Sequence, residues 1–203
     1  MTTLLTTLDR CVSTGRSIRW SPLVAAPVAA SAALLVAGPL ASGDPASVGI
    51  VGECGLAFTA VSAAFIADDA CRDAAPGTPV EAPKRLATRA GLMAPVAVIG
   101  WLVVLAVYAS VTPSLPVDLG ERILAGSGIA VAALALAAVG GRLRSVASPG
   151  AVGAGAVAAL GLALQAAPAR WLEHLPPATV VSAIAIAVGL MVVVLATREP
   201  AGS

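Results

Sequence analysis

Six long apolar runs constrain this chain more than any other feature. They cover 20–41, 47–67, 91–111, 123–140, 150–168 and 178–197 of the 203 residues. At ~1.5 Å rise per residue, each is long enough to cross about 30 Å of hydrocarbon as a helix. In lipid every backbone N–H and C=O must be satisfied within the protein, which leaves helices or a closed barrel. Barrel strands read as short alternating segments, and these runs are unbroken. The expected fold class is therefore an all-α integral membrane protein with six transmembrane helices. Composition agrees. Only 11% of residues are charged, against about 25% in a soluble domain, and mean hydropathy is +0.94. Aromatics make up only 3%, so Ala, Val, Leu and Gly carry the apolar load. Small side chains of that kind let helix backbones approach closely.

Lysine and arginine set the orientation. With the N-terminus inside, the inner segments hold Arg10, Arg16, Arg19, Arg72, Lys84, Arg85, Arg89, Arg142, Arg144 and Arg198. The outer segments hold only Arg122 and Arg170. Cytoplasmic loops are enriched in these residues, so both termini are expected in the cytoplasm of a cell bounded by this plasma membrane. Three regions follow: a segment 1–19, a transmembrane domain 20–197 with a cytoplasmic connection at 68–90, and a tail 198–203. Leu4, Leu5, Leu8 and Val12 share a helical face beside Arg10, Arg16 and Arg19. That pattern reads as an interfacial helix on the inner leaflet. Basic residues ahead of an apolar run also begin a signal peptide. Run 20–41 is longer than a signal core and carries Pro22, Pro27 and Pro39, so it is read as a retained span.

Chemistry-bearing residues are few. Cys11, Cys54 and Cys71 have no metal-ligand spacing, and the lone His174 has no companion. Neither a metal site nor a nucleic-acid patch is expected. Glu53 is the residue most out of place, six positions into the second run, roughly 9 Å along the helix. A carboxylate there requires a cavity, a partner helix or water. It reads as the lining of a substrate path, or as a polar anchor near the outer headgroups. No matching charged partner is expected in another span. Small residues four apart, Gly126 with Ala130, Ala154 with Ala158, Gly155 with Ala159, and Gly161 with Gln165, favour close helix contacts without fixing a dimer face. Trp20, Trp171 and Tyr108 are candidate interface anchors. Trp101 lies mid-span and reads as packing.

The connection between the second and third runs is the longest, and it carries both signs of charge. A short helix is expected over 68–75, with Asp68 and Asp69 at its start, where the dipole favours them, Asp73 further along, and Pro76 and Gly77 ending it. A second short helix is expected from near Glu81, including Lys84, Arg85 and Arg89. Such a segment reads either as a docking surface or as a solvated loop that fixes topology.

Here the chain resembles the membrane subunits of actinobacterial ATP-binding-cassette exporters with six spans per subunit. The resemblance rests on the acidic pair Asp68 and Asp69, then Ala74, Ala75 and Pro76, then Arg85 and Arg89 leading into the third run. Ala70 stands where that family often has proline. The resemblance implies a coupling helix between spans two and three that docks on a separate ATP-binding subunit, and a second copy or homologous permease as partner. ATP and magnesium would belong to that partner, since no G-x-x-x-x-G-K-[ST] loop occurs in this chain. The coupling residues would be Asp68, Asp69, Asp73, Arg85 and Arg89, with Glu53 on the substrate path. No catalytic residue or cofactor is expected in the chain itself. Competing readings are a self-contained secondary transporter or channel, a membrane structural or assembly protein, and a membrane enzyme. The sequence does not name a substrate.

Overall fold

The computed structural model describes residues 20–40, 45–68, 82–112, 118–140, 148–165 and 177–197. The interfacial segment 1–19, the first short helix of the connection with Asp69 and Asp73, and the tail 198–203 lie outside the described residues. The elements are α1 (Ser21–Leu40), α2 (Pro45–Val61) with a 3-10 continuation (Ser62–Ala67), α3 (Ala82–Val111), α4 (Leu119–Gly140), α5 (Pro149–Gln165) and α6 (Ala178–Thr197). No strand occurs among the described residues.

Each helix matches one of the expected runs, and two differ at their starts. α3 runs unbroken for 30 residues. The separate helix expected around Lys84 to Arg89 is therefore the first turns of α3 itself. Gly91 does not interrupt it: a Cβ there would meet open space, so nothing forces a bend. α4 begins at Leu119, ahead of the apolar run, because Asp118 caps it. The Asp118 carboxylate accepts the Glu121 backbone N–H at 3.1 Å, a standard N-cap contact.

Four helices are long and apolar enough to cross a membrane: Ser21–Leu40, Ala46–Ala67, Leu86–Val111 and Leu119–Gly140. Two further apolar stretches, Pro149–Gly161 and Thr179–Leu195, are shorter. The outward faces are apolar. Val28 is 62% exposed, Ile50 65% and Ile99 61%, and a continuous surface of this kind is unsuited to water. The chain is membrane-embedded.

Two groups of helices form the bundle. α1, α2 and α3 pack mutually, α4 packs on both α5 and α6, and the 3-10 continuation of α2 lies against α4 and α5. One core joins Leu34, Val48, Leu56, Val104 and Tyr108. A second joins Leu23, Ala63, Ile66 and Met93. The third is made of alanines, Ala64, Ala133 and Ala137, where the 3-10 segment meets α4.

Close approach depends on glycine at two places. A Cβ at Gly52 would overlap the Cδ2–Cε2 edge of the Tyr108 ring, and one at Gly153 would meet the α4 backbone between Ala133 and Ala137. Tyr108, expected as an interface anchor, is instead a core residue at 1% exposure. The small-residue pairs divide. Gly126 abuts the edge of Trp101, and Ala130 and Ala154 pack on the cores. Gly155 and Gly161 face open space, with Ala158 and Ala159 exposed beside them. α5 therefore uses the Gly150, Gly153, Ala154 and Val157 side against the bundle.

The 3-10 continuation has a local cause. Thr59 Oγ1 donates to the Gly55 carbonyl at 2.8 Å, and Ser62 Oγ donates to the Thr59 carbonyl at 2.7 Å. Both are buried. Hydroxyls that bond back onto the preceding turn compete with the α ladder and bend helices. The tighter winding carries the chain to Asp68, whose N–H bonds the Phe65 carbonyl at 3.1 Å before the backbone extends at ψ 118°.

Candidate functional site

Two polar assemblies are built on α2, one at its middle and one just past its 3-10 continuation. At the first, Arg122 on the opening turn of α4 donates through Nη1 to Glu53 Oε1. The guanidinium also lies 4.9 Å from the centroid of the Tyr108 ring, within cation–π range. Glu53 thus has a charged partner on another helix, contrary to the sequence expectation. Position along the spans held that signal. Arg122 is one of the two basic residues expected on the outer side, close to the same end as Glu53 and Tyr108. The two partners differ in access, with the Arg122 side chain 19% exposed and that of Glu53 56%. Tyr108 and the carboxylate hold the guanidinium back, while the carboxylate remains open.

The pair heads a cleft of about 250 Å³ between α2, α3 and α4, lined among others by Cys54, Ala57, Trp101, Ala125 and Gly126. A second cleft of about 360 Å³ adjoins it, lined by Thr59, Ala63, Val98, Leu102 and Ser127. Trp101 and Gly126 line both. The two clefts lie on either side of the Trp101–Gly126 contact, the first charged at its head and otherwise apolar, the second mostly apolar, and together they make up the groove of α2, α3 and α4. Trp101, expected as packing, does pack on the first core and also forms this junction. Its buried Nε1–H has no hydrogen-bond partner among the described residues. Cys54 is a free, exposed thiol.

Just past the 3-10 continuation Asp68 organises the second assembly. Its carboxylate accepts the Ser148 hydroxyl at 2.7 Å and the Gly150 backbone N–H at 2.6 Å. Ser148 in turn reaches the Ala151 N–H at 3.4 Å. Ser148 is the N-cap of α5, and Pro149 follows it at the first helical position, where a missing N–H costs nothing. An anion at this helix start also suits the dipole. The Asp68 carbonyl accepts Arg89 Nη1 at 2.6 Å. Asp68 is 5% exposed and Arg89 4%.

Both residues therefore turn into the bundle and join the end of α2 to α3 and α5. Arg85 lies on the opening turns of α3, and its side chain is outside the described ones, as is that of Gln165. Sequence reasoning missed Ser148 and Gly150. A Ser-Pro-Gly step ahead of an apolar run is a readable helix start, yet nothing local points to a cap supplied from eighty residues away. Among the described residues, no group of His, Cys, Asp and Glu could hold a metal ion. No family model, curated protein or solved structure matches this chain.

Proposed function

We propose that this chain is the permease subunit of an ATP-driven exporter in the plasma membrane. In this reading six spans cross the bilayer with both termini in the cytoplasm, and a separate chain binds ATP and magnesium. The observation that supports it is the pinning of the connection that follows α2. Asp68, its first residue, is bonded to Arg89 of α3 and to Ser148 and Gly150 at the head of α5. A push on that connection is transmitted through buried, direct contacts to three helices at once. Coupling of a motor to a bundle requires an ordered path of this kind. Asp69, Asp73 and Arg85 then form the surface toward the ATPase, while Asp68 and Arg89 carry the load inward. The Glu53 groove is the substrate path. A second copy or a homologous permease completes the transporter. The chain contributes no catalytic group of its own.

Affinity purification of the full chain from its own membranes tests this. An ATPase carrying a nucleotide-binding loop is expected to co-purify, and Asp69→Ala with Asp73→Ala is expected to weaken that association. Purification with no ATPase partner under mild detergent would remove the reading. Singly introduced cysteines test orientation: labelling from outside is expected at Ser42 and Ser114 and not at Thr88.

One observation favours a second reading. The Glu53–Arg122 pair at a cleft supplies the paired intramembrane charge that a self-contained secondary transporter needs. That reading predicts gradient-driven uptake in vesicles holding this chain alone. The exporter reading predicts none.

A further inference from the structure

We propose that the groove between α2, α3 and α4 binds amphipathic amines, with the ammonium at Glu53 and the apolar body along Trp101. Charge complementarity supports this occupant. An ionised carboxylate has about four lone-pair sites, and Arg122 occupies Oε1 alone. Oε2 has no hydrogen-bond partner among the described residues. The carboxylate is 56% exposed against 19% for the guanidinium. An entering headgroup therefore meets the negative partner first. Arg122 is already engaged by Glu53 on one side and by the Tyr108 ring, 4.9 Å away, on the other. The guanidinium keeps further N–H donors, but its side chain is 19% exposed and faces the ring, so a cationic head joins the open carboxylate as a second donor more readily than an anionic head reaches Arg122.

Below the head the chemistry changes within one molecule's length. Trp101 and Gly126 mark the junction, and the continuation is lined by Ala60, Ala97 and Val98. Such a lining accepts alkyl or aryl bodies, and the indole adds an aromatic surface that a cation also favours. Pockets of a few hundred Å³ with one polar head and apolar walls are typical of small-ligand sites. Gly126 lets the indole lie flush against α4 and form a wall of the cleft, because a Cβ there would stand 3.0 Å from the indole edge. The amine has two possible sources, a lipid headgroup or a free small molecule. The site does not depend on whether an ATPase drives the protein.

The test is equilibrium dialysis of the full chain in maltoside micelles, with protein-free micelles subtracted. The probe is tetracaine, an aryl ester with a cationic head. The comparator is methyl 4-(butylamino)benzoate, which keeps the ring and ester and lacks the ammonium. Tetracaine is expected to bind about fivefold more tightly, equivalent to about 1 kcal/mol. Glu53→Gln, whose amide oxygen still accepts from Arg122, is expected to erase that preference while leaving the neutral ester bound. Ala125→Leu fills the cleft without touching the ion pair and is expected to abolish binding of both. Adding phosphatidylethanolamine lowers tetracaine binding if the natural amine is a lipid, and leaves it unchanged if it is a free molecule. Equal binding of both probes to the unmodified chain, or a preference that survives Glu53→Gln, overturns the proposal. These results are read on the isolated chain, so they stand or fall apart from the search for an ATPase.

Discussion

Replacing Asp68 with alanine should open the head of α5. The side chain accepts two hydrogen bonds, from Ser148 at 2.7 Å and from Gly150 at 2.6 Å, in a position only 5% exposed. Hydrogen bonds to an ionised group contribute about 1.5–3 kcal/mol each, and a charge at a helix start adds about 0.3–1 kcal/mol. Desolvation of the carboxylate offsets part of this sum. Alanine also leaves the buried Gly150 N–H without its acceptor. The expected loss is about 3–4 kcal/mol for Asp68→Ala. Asp68→Asn keeps one neutral acceptor for Gly150 and should lose about 1–2 kcal/mol. Amide hydrogen exchange over 148–153 in micelles reads the local effect. At 1.4 kcal/mol per factor of ten, Asp68→Ala should exchange roughly 150- to 700-fold faster there, and Asp68→Asn about tenfold. Exchange over α6 should change far less, because the lost contacts hold α5. Unchanged exchange at Gly150 in the alanine variant would refute the assignment of Asp68 as the cap.

Gly52→Ala should destabilise the bundle by about 1–3 kcal/mol, since the added carbon overlaps the edge of a Tyr108 ring that is itself buried in the core; denaturation in mixed maltoside and dodecyl sulfate micelles would show a lower midpoint. Two glycines of α5 should move that midpoint in opposite directions. Gly153→Ala meets the α4 backbone and should lower it. Gly155→Ala meets open space and should raise stability by about 0.5–1 kcal/mol through helix propensity. A common direction for both would contradict the face of α5 assigned to the bundle.

The helices were legible because lipid imposes one requirement on every residue of a span. A long apolar run answers it whatever its neighbours are. The start of α3 was less legible. Charged residues such as Lys84 and Arg85 read as loop in a hydropathy window, yet they are good helix formers, and a helix does not end where its apolar face ends. The partner of Glu53 was within reach of the sequence, because Arg122 lies near the same predicted end. Hydropathy hides the pairing because Arg122 lies just outside the apolar run that begins at Ile123. The Asp68 assembly was not legible at all. Its carboxylate was read as the start of its own helix, a local contact, and its partners are separated from it by two intervening helices. Which of several nearby donors a carboxylate finds is decided by packing, here by Ala64 against Ala133 and Ala137.

The 3-10 segment explains how one helix serves both assemblies. Glu53 and Asp68 are fifteen positions apart. In an uninterrupted α-helix, at about 100° per residue, they would stand roughly 60° apart, on nearly the same side. Both carboxylates would then face the same neighbour. Six residues of 3-10 winding, Ser62–Ala67, turn about 120° each instead, adding roughly another 120°. That places Asp68 on the side opposite Glu53. The observed contacts agree: Glu53 meets α4 through Arg122, while Asp68 meets α3 and the start of α5. The same winding lengthens the segment by about 3 Å relative to α geometry, carrying Asp68 to the level of Ser148. Thr59 and Ser62, whose hydroxyls favour the tighter turn, are therefore as much a part of the Asp68 assembly as the residues that touch it.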